Sequence, residues 1–143
     1  MASSCFTNAC RHLAKGEFDF DTDSIKVMLV SAVPSETDLD TWDFRNDVTT
    51  EITGTGYTAG GIIQAYTLSA VDTTNNRQGI VWTNIVNGWT SATFSAAGAI
   101  IYDNNGAAAS DGLLMFVDFN GTVSCTAGNF SITYTNPFYI NRG

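Results

Sequence analysis

Apolar residues arrive in short β-type runs separated by turn-forming clusters. IKVMLVSA (25–32) is the first clear run, aliphatic and β-branched, and it predicts a strand buried on at least one face. Beyond residue 61 the texture repeats. IIQAYTLSAV (62–71), GIVWTNIV (79–86), ATFSAAGAIIYD (92–103), GLLMFVDF (112–119) and NFSITYT (129–135) all read as strands. The turn signals DTTNNRQG, Asn87-Gly88, NNGAAASDG, Asn120-Gly121 and Asn136-Pro137 follow them. Both residues of an Asn-Gly pair tolerate positive φ, so these pairs are expected to close tight hairpins. Strands at this spacing, with no helical periodicity between them, predict an all-β sandwich or barrel. No linker or internal repeat divides the chain, so residues 1–143 read as one domain, with 1–15 as an N-terminal arm or short helix and 16–143 as the core.

The stretch before residue 61 is different. EFDFDTD (17–23) alternates acids with aromatics, the pattern of a strand edge with Phe18 and Phe20 inward and carboxylates in water. PSETDLDTWDFRNDV (34–48) follows the first strand. Pro34 ends that strand, Ser35 or Thr37 caps a helical turn, and Trp42 and Phe44 anchor the segment to the core. Arg45 is expected to pair with Asp43, Asp47 or another nearby acid.

Charge narrows the partners. The chain has six Lys and Arg against fourteen Asp and Glu, a formal charge of −8. Nucleic acid is therefore an unexpected partner, because phosphate contacts need a basic footprint, and anionic membrane is disfavoured for the same reason. No apolar run approaches the ~20 residues of a membrane-spanning helix, and no signal peptide is visible. Ten of the fourteen acids lie between Glu17 and Glu51, and the remainder of the chain is nearly uncharged. Charged residues make up only 14% of the chain, which suggests surface hidden against other proteins. Cys5, Cys10 and Cys125 form no CxxC pair and read as reduced thiols.

Candidate chemistry is sparse. In GTGYTAGG (54–61), Gly54, Gly56 and Ala59 satisfy the dinucleotide fingerprint, and Asp72 follows at about the expected offset of ~20 residues. That chemistry needs a helix after the glycines, whereas Ile62, Ile63, Tyr66 and Thr67 prefer strands, and no lysine follows for a Walker-type loop. The glycines read as a φ-permissive connector, with Tyr57 packing its ring to anchor it. DFDTD (19–23) and DLDTWD (38–43) suggest calcium, but counting from Asp19 an EF-hand wants Gly and Glu where Ser24 and Val30 stand. The single histidine, His12, falls in the N-terminal arm, away from any expected cleft. Asp118, in MFVDF, is expected to face solvent or an interface. Trp42, Trp82 and Trp89 offer a carbohydrate platform as an alternative to core positions. No catalytic residue, metal or cofactor is expected.

Three blocks together resemble a family of small tailed-bacteriophage virion proteins, described as structural or as capsid cement (decoration) proteins. They are GEFDFDTDSIKVMLVSA (16–32), WDFRNDVTTEITGTGYTAGG (42–61) and ATFSAAGAIIYDNNGAAASDGLLMFVDFNG (92–121), in the order the family has them. Two features depart from the pattern: Trp42 stands where the family often has His, and the N-terminus carries two cysteines. The resemblance implies a jelly-roll-like β-sandwich on the outer surface of an icosahedral head. It would bind the major capsid protein, and itself as a homo-dimer or trimer, after synthesis in the host bacterial cytoplasm. A tail, neck or head-fibre position, or a carbohydrate-binding virion module, is the alternative. Under this reading the acidic segment 36–51, the arm 1–15 and the loop 104–110 are the expected contact regions, with Trp42, Phe44, Arg45, Asp47, Tyr57, Asn104 and Asn105 as interface residues.

Overall fold

Residues 4–141 are described by a computed structural model, in which strands far outweigh helix. In chain order the elements are β1 (Ser4–Cys5), α1 (Thr7–Lys15), β2 (Ile25–Val30), α2 (Glu36–Thr41), a 3-10 turn (Arg45–Asp47), β3 (Ile62–Ile63), β4 (Tyr66–Leu68), β5 (Arg77–Trp82), β6 (Ile85–Asp103), β7 (Leu113–Ile132) and β8 (Phe138–Asn141). One sheet has the order β1-β7-β6-β2-β3 and the other β4-β5-β8, and all named pairs are antiparallel. The all-β expectation holds. No helix among the described residues is long and apolar enough to cross a membrane.

β2 is as predicted: only Lys26 of its six residues escapes full burial. It sits between β6 and β3, with Val27 opposite Ile101 and Leu29 opposite Ala99. Ser35 caps α2 by accepting from Asp38 N, while the Asp38 carboxylate accepts from Ser35 N, a reciprocal capping box. The N-terminal segment is a helix. Its buried stripe is Ala9 and His12 at i, i+3, preceded by Phe6, while Cys10 and Ala14 are exposed. Residues 17–23 form turns, not a strand. The alternation still holds in part, with Phe18 buried, Phe20 half-buried, and Asp19 and Asp21 in water.

The two Asn-Gly pairs do not close hairpins. Both lie inside the long strands, where the register of β6 against β7 shifts. Asn87 (φ 52°) sits in the shift between Ile85 and Trp89. Asn120 (φ 58°) and Gly121 (φ 137°) sit in the stretch of β7 opposite the shift between Ala96 and Gly98. Ser91 and Ala127 also have positive φ beside shifts. A bulge needs one residue out of the extended conformation, and Asn-Gly supplies it as readily as it supplies a type I′ turn. The connection that does reverse the chain is NNGAAASDG, whose Gly106 has φ 89°.

Two predicted strands are each divided between the sheets. IIQAYTLSAV becomes β3 and β4, and GIVWTNIV becomes β5 and the start of β6, so the chain crosses between sheets at residues 64–65 and again at 83–84. A third crossing leads from β7 to β8. The buried carboxamide of Gln64 ties all three together. Its Nε2 donates to Ala65 O and Thr83 O, each at 2.8 Å, and its Oε1 accepts from Tyr134 Oη at 2.6 Å. Burial pushes the Tyr134 hydroxyl well above its ordinary pKa, so it remains a donor.

Gln64→Met keeps the volume and deletes three hydrogen bonds at a buried site, so it should cost about 3–5 kcal/mol of stability. Tyr134→Phe removes one and should cost about 1–2 kcal/mol. Urea denaturation of the purified variants measures both.

Candidate functional site

Most of the predicted interface residues converge at the end of the first sheet, where the β6–β7 loop meets the segment after α2. The segment adds to the loop through its backbone. Arg45 N donates to Asp111 O (2.9 Å), Asn46 N to Ala108 O (3.1 Å), and Leu113 N to Asp43 O (3.0 Å). Phe44 bridges Gly112.

The side chains complete the join. The partner of Arg45 is neither Asp43 nor Asp47 but Asp111, remote in sequence and fully buried. Arg45 Nε donates to Asp111 Oδ2 at 2.7 Å, and the guanidinium lies 5.6 Å from the centre of the Tyr102 ring. Asp111 Oδ1 accepts from Asn105 N at 2.8 Å. Asp47 closes its own turn, accepting from the backbone N–H groups of Asp43 and Phe44. Asn104 N donates to Ser24 O. Trp42 turns toward the N-terminal segment, stacking on Phe6 with centroids 6.5 Å apart, while its carbonyl accepts from Asn8 Nδ2.

Sequence reasoning missed His12. It is not in a loose arm: its ring is buried, with Nδ1 2.5 Å from Glu17 Oε2 and Nε2 2.7 Å from Asp43 Oδ1. Phe18 and Phe44 meet the ring edge-on, with centroids 5.4 and 5.2 Å away. Arg11 also binds Asp43, and Lys15 lies 3.3 Å from Glu17. Both ring nitrogens are thereby engaged with carboxylate oxygens. Hydrogen bonding from His12, aided by Lys15, holds the Glu17 carboxyl below the usual range. No motif spacing announces this cluster, because His12 and Asp43 lie far apart in the sequence.

Tyr57 belongs to a different place. It anchors the glycine run as expected, its ring 6.3 Å from Trp89 and 6.0 Å from Phe94. Its hydroxyl accepts from Leu29 N and donates to Glu51 Oε1, which also takes the N–H of Gly60. The run is strapped to the sheet rather than slack. At Gly61 (φ 66°), a Cβ would stand 1.8 Å from Val27 O, so only glycine fits. Trp82 and Trp89 are 4% and 3% exposed and offer no sugar platform. Asp118 is half-buried and accepts from Asn120 N.

Chemically the site is a closed network beside a recess. The recess, of about 430 Å³, is lined by His12, Glu17, Phe18, Phe44, Asp103, Asn105, Ser110 and neighbouring small residues. The Ser110 hydroxyl donates to Ala107 O. Among the described residues, no three His, Cys, Asp or Glu side chains are placed to hold a metal ion. Near Asp19 the carboxylates serve turn N–H groups instead. Cys5 donates to Leu114 O, and burial pushes its thiol up to about 12, which keeps it a thiol. A second groove, of about 650 Å³, runs between β7 and β8 and is walled by Trp82, Phe119, Phe130, Tyr134 and Phe138.

Asp103 is the one member out of balance. It is 2% exposed, and its side chain accepts from Asn105 Nδ2 at 2.6 Å. Burial, reinforced by Asp23 and Asp111, raises its carboxyl to about 6. The unfolded chain loses this proton near 3.8 and the folded one near 6, so stability falls as pH rises between them. Asp103→Asn should therefore match the wild type below pH 4 and exceed it by about 1–3 kcal/mol above pH 6. The wild-type-minus-variant difference in urea-unfolding free energy, measured from pH 4 to 8, isolates this group from Glu17 and Asp72. Those two carboxyls have lowered pKa values and lose their stabilisation in the opposite direction, as pH falls.

Compared with protein-family models, curated proteins and solved structures, the chain has no significant match.

Proposed function

We propose that the chain is a capsid cement protein of a tailed bacteriophage, a non-catalytic homo-oligomer that binds the major capsid protein on the outer surface of the head. The observation that carries the reading is the outer half of the β6–β7 ribbon. Residues 85–97 and 119–132 contain no charged side chain. Among the described residues no strand pairs with the outer edge of β7 beyond Asp118, since β1 reaches only Met115 and Phe116. Proteins that stand alone in water protect such edges with lysines, prolines or short length. A long uncharged edge carrying exposed Thr, Ser, Asn and Val side chains suits the charge-depleted centre of a protein–protein contact. Val86 on β6 and Val123 on β7 are 76% and 43% exposed on this ribbon.

A cement protein acts by adding buried area across seams between capsid subunits, and a specific contact of this kind needs roughly 1,000 Å² or more. It binds the assembled state and not free subunits, so it stabilises the shell by mass action, repeated by symmetry. We read the two sheets as a variant of the jelly-roll-like sandwich. In support, the pairing is antiparallel throughout, and the chain passes back and forth between sheets three times.

The purified protein should rebind phage heads from which it has been removed and raise their disruption temperature. Density for it on tail or neck and none on the shell, in an image reconstruction of the virion, would overturn the reading. Val123→Lys and Thr126→Lys place charge on the ribbon. They should weaken head binding by at least ~10-fold in co-sedimentation, with unfolding free energy unchanged within ~0.5 kcal/mol.

A further inference from the structure

Among the described residues two acids are buried, and Asp103, in the wall of the recess beside His12, is the poorly compensated one. Asp103 takes a single side-chain hydrogen bond among the described residues, from the neutral Asn105 amide. The charged groups around it are Asp23 and Asp111, which repel its charge, and His12, which favours it. His12 is committed at both nitrogens to Glu17 and Asp43. Arg45 is committed to Asp111 and Arg11 to Asp43. Glu17 also lines the recess; its side chain is 44% exposed, with one oxygen on His12 Nδ1 and the other in a surface pair with Lys15 at 3.3 Å. Phe18 and Phe44 supply aromatic surface in the same recess.

A recess lined by two carboxylates and two aromatic rings suits a cation with a flat face. Guanidinium meets that description better than ammonium, because it pairs with carboxylates through a planar fork and stacks on rings. At about 430 Å³ the recess has room for one long side chain. The surroundings favour such a guest, since the segment 17–51, which contributes Glu17, Phe18 and Phe44 to the lining, holds ten of the fourteen acids.

We propose that this recess is a receptor for an arginine side chain of the partner protein, with Asp103 and Glu17 as its counter-charges. The inference rests on the cement reading for the partner's identity, but the pocket itself is testable without any capsid.

The test is titration of the full chain with N-acetyl-arginine amide at pH 7.5, followed by amide NMR, with the lysine and citrulline analogues in parallel. Saturable shifts confined to residues 12–18, 44 and 103–112, with millimolar affinity for arginine, at least ~3-fold weaker binding of lysine and none of citrulline, are expected. Asp103→Asn should weaken arginine binding at least ~10-fold, Glu17→Gln by a smaller factor, and the remote Asp72→Asn should leave it unchanged. Absence of saturable shifts, equal shifts with citrulline, or undiminished binding by Asp103→Asn would overturn the proposal. Heads separate the two claims. If arginine binds but heads do not, the cement reading fails and the pocket stands. If wild type and Asp103→Asn bind heads equally and arginine does not compete, the pocket's role fails and the cement reading stands.

Discussion

Three times the chain leaves one sheet for the other, and all three departures meet the side chain of Gln64. A crossing between sheets interrupts both ladders and strands backbone carbonyls in the interior, where an unpaired polar group costs on the order of 1–3 kcal/mol. Gln64 answers with the minimum chemistry: two amide hydrogens for Ala65 O and Thr83 O, and one carbonyl for the Tyr134 hydroxyl. Leu or Ile at this position would suit the apolar run IIQAY and leave the crossings unsatisfied. The small sheet β4-β5-β8 depends on this arrangement, because each of its approaches from the large sheet passes through it.

The other constraint is length. β6 and β7, at 19 and 20 residues, are far longer than an ordinary strand of ~5–6, and a ribbon of that span accumulates twist. Five shifts of register break it into short regular stretches. The inner stretch stays with β2 and forms the core through Ile100, Ile101, Leu114 and Phe116. The outer stretch departs, folding Trp89, Phe94 and Phe130 onto Tyr57 on one face and leaving small polar residues on the other. The glycine run lies where these two stretches separate, bridging Thr55 to Thr93 and strapped to β2 through Tyr57 and Gly61.

How much of this was legible in the residues follows from range. Signals that act over a few positions were readable: the apolar run of β2, the Ser35 cap, the inward Phe18, the anchoring Tyr57. Asn-Gly was read correctly as positive φ and wrongly as a hairpin, because a dipeptide specifies local dihedrals and not whether the chain reverses or bulges. The joins at Gln64 and the pairing of Arg45 with Asp111 span tens of residues, and no local pattern encodes them. His12 is the clearest case. Between Arg11 and Leu13 it looks like a surface residue, and only the docking of α1 against Asp43 makes it the centre of an ion network.

Charge divides along the same line as structure. The acids of residues 17–51 cluster where the chain is tied by turns, caps and ion pairs, and several are spent there: Asp38 and Asp47 on N–H groups, Asp43 and Glu17 on His12, Glu51 on Tyr57. The outer ribbon has none, and among the described residues no strand pairs with its β7 edge beyond Asp118. In a free monomer the two surfaces oppose each other, since the net charge of −8 keeps copies apart at long range while the ribbon invites pairing at short range. A partner that is basic where the acids lie and flat where the ribbon lies would resolve both at once. Neither a small soluble ligand nor a nucleic acid has those two properties together. A large protein surface does, and on the proposed cement reading the capsid supplies it.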